Sequence, residues 1–149
     1  MGTEIEGAEG PGPAVELVRL ADAEGNRVSV SVLGRHPAVR NGLAAELVLD
    51  TPFVRGRLEL SLWRSRLEAW GRALDRLEAG HDITWMGVER GPSLSVRLVG
   101  ERGCPEVIVV DDLVSMVTVR VPVDLPDDWI VAHRGRLRAL MAGWGMSGP

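Results

Sequence analysis

Arg57-Leu58-Glu59-Leu60-Ser61-Leu62 runs directly into Trp63-Arg64-Ser65-Arg66-Leu67-Glu68-Ala69-Trp70. In the first six residues leucine alternates with polar residues. Successive strand side chains point to opposite faces, so this period of two reads as a strand with one apolar and one polar face. At Trp63 the step changes. Trp63, Leu67, Trp70, Leu74 and Leu77 are spaced 4, 3, 4, 3, which puts all five on one stripe of a helix. Arg64, Glu68, Arg72, Asp75, Arg76 and Glu78 cover its other sides. Ser65 with Glu68 has capping-box spacing, with an earlier start near Ser61 as the alternative, and Gly80 supplies the stop. A strand that feeds a helix within one residue decides the class: the chain is α+β.

The same two periods account for the rest of the body. Upstream, Val28, Val30 and Val32 alternate with Ser29 and Ser31, and less regular strand patterns occupy 15–21 and 45–49. Downstream, Leu94, Val96 and Leu98 alternate with Ser95 and Arg97, and Val117, Val119, Val121 and Val123 alternate with Thr118, Arg120 and Pro122. Such alternation is characteristic of antiparallel strands with one face on a core. Pro122 lacks a ladder donor, so that strand belongs at an edge or bulge. In 107–110 both faces are apolar, which predicts a central strand covered on both sides. Gly25 and Asn26 tolerate positive φ and predict a hairpin turn over 23–26, Asp111-Asp112 predicts another, and 36–42 reads as a longer loop. A second helix follows Leu125-Pro126, with Asp127 or Asp128 as N-cap and Ile130, His133, Leu137, Leu140 and Trp144 at helical spacing. The expected architecture is therefore an antiparallel, curved sheet with two helices packed on its apolar face, in the order strands–helix–strands–helix. Four strands and a helix occur twice, without a residue-level repeat.

Composition bounds the function. The chain has 149 residues, 45% hydrophobic and 26% charged, with a net charge of −4. All 17 basic residues are arginine, and there is no lysine, tyrosine or glutamine. This composition fits one globular domain rather than a collagen-like, coiled-coil or disordered chain. Residues 1–13 are acidic and rich in glycine and proline, and are expected to be a disordered tail; 14–144 form the single domain; 145–149 are expected to fray. A lone Cys104 makes no internal disulfide, the start lacks a signal-peptide pattern, and no apolar run approaches the roughly 20 residues of a membrane span. The expected location is the cytoplasm, away from membranes. The arginines fall on polar strand faces and outer helix faces among Asp and Glu, so no nucleic-acid patch is expected.

No catalytic motif rises above background. His36, His81 and His133 lie far apart, and Cys104 has no CxxC partner, so no metal site is expected. The segment Gly-Val-Glu-Arg-Gly from Gly87 lacks phosphate-loop spacing, and no GxSxG elbow exists. No cofactor is expected. The candidates for contact with a protein partner are Trp85 and the late acidic residues Asp111, Asp112, Asp127 and Asp128. Exposed Trp marks binding hot spots, and acidic residues steer basic partners. Turn formation and helix capping are the plainer accounts of those aspartates, and core packing that of the tryptophans.

Several strings carry a resemblance. Phe53-Val54-Arg55-Gly56-Arg57-Leu58-Glu59-Leu60, then Leu67-Glu68-Ala69-Trp70, Ala73-Leu74, Ala79-Gly80 and Thr84-Trp85 resemble an uncharacterised actinobacterial (Streptomyces-type) family of unknown function. So do Glu16-Leu17-Val18-Arg19-Leu20-Ala21-Asp22, Cys104-Pro105-Glu106-Val107 and Val119-Arg120-Val121-Pro122-Val123. The likeness spans about 15–140. The plan of strands, helix, further strands and last helix is more loosely similar to WapI-type immunity proteins, which implies a partner-masking role without assigning residues to it. The functional expectation is a non-enzymatic protein-interaction module, with an immunity-type protein as its finer form. Its alternative is a small-molecule-binding or catalytic domain, with a pocket between sheet and helices near His133 or His81.

Overall fold

A computed structural model describes residues 14–88 and 91–146. The expectation for the tail at 1–13 lies outside the described residues, as does that for 147–149. Eight strands and two helices follow one another as β1 (Val15–Ala21), β2 (Arg27–Arg35), β3 (Leu43–Asp50), β4 (Arg55–Leu62), α1 (Arg64–Glu78), β5 (Ile83–Trp85), β6 (Pro92–Arg97), β7 (Glu106–Asp111), β8 (Thr118–Pro122) and α2 (Trp129–Gly143). The α+β class and the strands–helix–strands–helix order hold. The strands divide into two antiparallel meanders, β1-β2-β3-β4 and β5-β6-β7-β8, rather than one sheet. The division falls where the chain spends fifteen residues in α1, so β5 begins a new ladder.

Alternation sets the inner faces. Leu43, Ala45, Leu47 and Leu49 of β3 point inward opposite Leu62, Leu60, Leu58 and Gly56 of β4. Val28, Val30 and Val32 of the central strand β2 are buried with them. Ser29 and Ser31, expected on a wet face, are also buried. Longer neighbours flank them in register: Arg19 and Val48 beside Ser29, Glu16 and Glu46 beside Ser31. In the second sheet β7 is central, as its apolar run predicted; Val107 and Val109 are buried, while Ile108 and Val110 are half-covered. Pro122 lies on the edge strand β8. One apolar cluster unites both sheets and both helices.

The two helices guard two sheet edges. α1 buries Leu67, Trp70, Ala73, Leu74 and Leu77 and packs on β5. Trp63, expected on that stripe, is instead the extended N-cap, with the Arg66 guanidinium 4.1 Å from its ring centre. The Ser65–Glu68 capping box does not form; Glu68 pairs with Arg64 one turn away at 3.3 Å. α2 packs on β1 and on α1. Gly71 permits the helix contact: a Cβ there would stand 3.2 Å from Leu137 Cδ2. Arg134 then bridges Asp75 and Glu78 of α1 at 2.6 and 2.5 Å. After α2, Gly145 turns with φ +70, and the N–H of Met146 donates to the Met141 carbonyl at 2.7 Å. Met146, inside the stretch expected to fray, is thereby buried.

Strand β8 crosses the turn end of the first sheet. Its start faces β3 and β4, where Val117 and Val119 share a groove with Leu49 and Leu58. Its far end meets the β1–β2 turn: Asn26 Nδ2 donates to the Pro122 carbonyl at 3.4 Å, and the N–H of Asp124 donates to Asp22 Oδ2 at 3.3 Å. The sheets are stitched at one end of β8 and parted at the other. No helix among the described residues is long and apolar enough to cross a membrane.

Candidate functional site

Where the sheets part, an apolar groove of about 220 Å³ opens to solvent. Leu47, Leu49 and Leu58 form one side and Val109, Val117 and Val119 the other. Gly56 contributes to it the absence of a side chain; a Cβ there would meet nothing within 4 Å. Four polar residues also line the groove, and each is partnered: Asp111 with Ser115, Arg55 with Asp50 at 3.0 Å and Arg57 with Glu46 at 3.4 Å.

Two turns flank this groove, and both are built inside out. In the loop 111–117, Asp111 is the hub. Its Oδ1 accepts the N–H groups of Leu113 and Val114 at 3.3 and 3.2 Å, and its Oδ2 accepts the N–H and hydroxyl of Ser115 at 2.9 and 2.7 Å. The N–H of Asp111 closes the loop on the Val117 carbonyl at 3.0 Å. These bonds favour the ionised carboxylate. The Ser115 hydroxyl and N–H contribute most and hold the Asp111 pKa down to about 2. With polar groups turned inward, the side chains of Leu113, Val114, Met116 and Val117 are left outside. Val114 is 81% and Met116 70% exposed. Met116 also holds φ at 63°, a left-handed conformation uncommon for a non-glycine residue.

The β3–β4 turn repeats the device with a hydroxyl. Thr51 Oγ1 accepts the N–H groups of Phe53 and Val54 at 3.2 and 2.8 Å, and the N–H of Thr51 donates to the Val54 carbonyl at 2.9 Å. Phe53, the chain's only phenylalanine, is left 94% exposed beside the groove residue Val54.

Of the residues predicted from sequence, Asp111 and Asp112 lie in the loop that flanks the groove, while Trp85, Asp127 and Asp128 fall elsewhere. Trp85 is 2% exposed and lies in the core, its ring centre 4.8 Å from that of Trp70 and its Nε1–H donating to the Arg66 carbonyl at 3.0 Å. It presents no surface to a partner. Asp111 is buried as the hub of its loop. Asp112 is exposed and its Oδ1 accepts the N–H of Gly91 at 3.0 Å, which ties the β5–β6 connection to the loop. Asp127 and Asp128 are exposed ahead of α2; Asp128 is the N-cap residue but makes no side-chain cap bond. Asp111 and Asp112 thus share one loop, and Asp127 and Asp128 another segment. Among the described residues no three His, Cys, Asp or Glu side chains gather as a metal-holding group.

The pocket expected around His133 is closed. His133 is 2% exposed, edge-on to Trp129 and Trp70 with ring centres 5.8 and 6.3 Å away. Both ring nitrogens are engaged by backbone. The apolar groove lies between the two sheets, and a second, open depression lies on the second sheet beside Asp82, Thr84 and Ser95; neither lies between sheet and helices.

Sequence reasoning missed Phe53 and the 113–117 tip. The signal was present: four apolar residues in five positions follow the Asp111-Asp112 turn, and a lone Phe stands between Pro52 and Val54. Period-two reading absorbed Val117 into the next strand and left the others unassigned.

No curated protein and no solved structure matches the chain. A family model does, over residues 15–145, from the first strand to the end of the last helix. The chain therefore belongs to a family of unknown function, DUF5959.

Proposed function

We propose that the protein is a non-enzymatic interaction module that works in the cytoplasm and binds another protein through the inter-sheet groove and its two apolar turns. One observation carries this reading: a loop that turns its polar groups inward onto Asp111 and displays Leu113, Val114, Met116 and Val117 to water. Single exposed apolar residues are ordinary, but a contiguous apolar patch beside an apolar groove marks a contact surface. The partner's complement is an apolar ridge. The exposed acidic residues Asp112, Asp127 and Asp128 add long-range attraction for a basic partner. An immunity-type role, in which this surface masks an actinobacterial toxin, is a finer form of the same proposal and draws on the loose likeness to WapI-type immunity proteins. The small-molecule reading has less support, since binding pockets carry a few convergent polar groups, and here Asp111 and Ser115 are consumed by the loop while Arg55 and Arg57 pair with Asp50 and Glu46.

The test is capture from a lysate of the source organism with wild-type protein and with Val114→Asp/Met116→Asp as bait. Both positions are exposed, so the variant folds. A protein retained by the wild type and lost by the variant supports the reading. Equal capture by both, or none by either, counts against it.

A further inference from the structure

Three of the four sheet edges are accounted for: α2 packs on β1, α1 packs on β5, and β8 lies across the end of the first sheet. The fourth, β4, has β3 as its only extensive neighbour and is the most exposed strand of its sheet. Unpaired edges are templates for another strand.

The hydrogen-bond phase of β4 is set by its hairpin. The N–H of Thr51 donates to the Val54 carbonyl, so Thr51 and Val54 are a bonded pair. Bonded and non-bonded pairs alternate along an antiparallel ladder. Gly56, Leu58 and Leu60 therefore bond to β3, while Arg55, Arg57, Glu59 and Ser61 turn N–H and C=O outward. The Ser61 carbonyl confirms the phase, because Arg66 Nη1 donates to it from outside the sheet at 2.9 Å.

The charges on this edge are unbalanced. Glu59 stands directly opposite Glu46 in register, and like charges so placed repel. Glu46 is served by Arg57 at 3.4 Å. Among the described residues Glu59 has no cation within ion-pair distance.

We propose that β4 pairs antiparallel with β4 of a second copy, centred on Leu58, so that two first sheets join as one. In that register Arg57 of each copy lies opposite Glu59 of the other, and both belong to the outward-bonding set. Each such pair exchanges two backbone hydrogen bonds, and each unserved Glu59 gains a cation. Leu58, half-buried in the lone chain, meets its counterpart at the axis, in a non-bonded pair where side chains lie closest. The contact is isologous, as a two-fold dimer requires. A register shifted by one pairs outward-bonding residues with inward-bonding ones and forms no ladder. The proposal shares Arg57 and Leu58 with the groove wall but rests on the outward backbone groups of β4, which the reading of the groove and turns does not use.

Sedimentation equilibrium of the full chain over a micromolar to near-millimolar series tests it. The expected limiting mass is twice 16.1 kDa. Arg57→Glu or Glu59→Arg alone, each confirmed folded by circular dichroism, halves that mass. The double variant Arg57→Glu/Glu59→Arg restores it, which simple loss of stability would not do. A wild type that stays monomeric overturns the proposal and leaves the edge to a strand of another protein. Single variants that remain dimeric, or a double variant that stays monomeric, overturn it also. Val114→Asp/Met116→Asp leaves the mass unchanged, so this proposal and the interaction reading can fail separately.

Discussion

The backbone N–H of Arg19, on β1, donates to Nε2 of His133, on α2, at 2.9 Å across 114 positions of sequence. Nδ1–H of the same ring donates to the Trp129 carbonyl at 2.6 Å. A backbone carbonyl only accepts and a backbone N–H only donates, so Nδ1 carries the proton and Nε2 is bare. The imidazole is neutral and closes the edge of the first sheet.

Burial, before any other influence, pushes the His133 pKa below its ordinary 6.5, with Arg136 adding to it and Glu16 opposing. The unfolded chain binds a proton near 6.5 and the folded chain only at lower pH, so stability is complete above about 6.5 and falls as pH drops toward the folded value. Protonated Nε2 would also oppose the N–H of Arg19. Urea unfolding at a series of pH values should show this loss. His133→Leu should cost about 1–3 kcal/mol at neutral pH, the cost of an unpaired partly buried donor, and should flatten the slope just below pH 6.5. A wild type with no slope in that window would refute the assignment of the neutral ring.

Asp111 works in a separate window. Its carboxyl is lowered from 3.8 to about 2 by the Ser115 hydroxyl and N–H, so the stability it contributes is present above its unfolded value and lost as pH falls toward about 2. Asp111→Asn should be less stable than wild type at neutral pH, with the amides of Leu113, Val114 and Ser115 exchanging faster. The gap should close in strong acid. Parallel unfolding curves for the two proteins over the acid range would sink the hub role.

Trp85 packs on Trp70 inside the core. Trp85→Ala should therefore destabilise by about 3–5 kcal/mol, the range for emptying a large aromatic site. Chemical denaturation measures it. A change within a few tenths of a kcal/mol would return Trp85 to the surface.

Gly135 sits in the interior of α2, and a Cβ there meets nothing within 4 Å. Gly135→Ala should stabilise by about 0.5–1 kcal/mol through lower backbone entropy in the unfolded chain. An unchanged or lower melting temperature would contradict the helical, uncrowded placement.

Much of the fold is legible in local periodicity. Leu58-Glu59-Leu60-Ser61-Leu62 and the stripe from Leu67 to Leu77 lie where their periods placed them. Those signals come from residues a few positions apart, and one buried face imposes them. Trp63 and the Ser65–Glu68 box were misread because a cap depends on the entry angle of the preceding strand, here set by β4. The surface was less legible. Trp85 has the composition of a contact residue, but α1 folds over it, and Phe53 has the composition of a core residue, but Thr51 binds the turn so that the ring is left outside.

By itself the sequence determined the α+β class, the alternating faces and the two helices, because strand and helix periods are local consequences of backbone geometry. Only the tertiary structure decided that the strands split into two sheets, that His133 caps an edge, and that an open groove remains between β3–β4 and β7–β8. Those features depend on contacts between residues far apart in the chain, and no pattern within a few neighbouring positions encodes them.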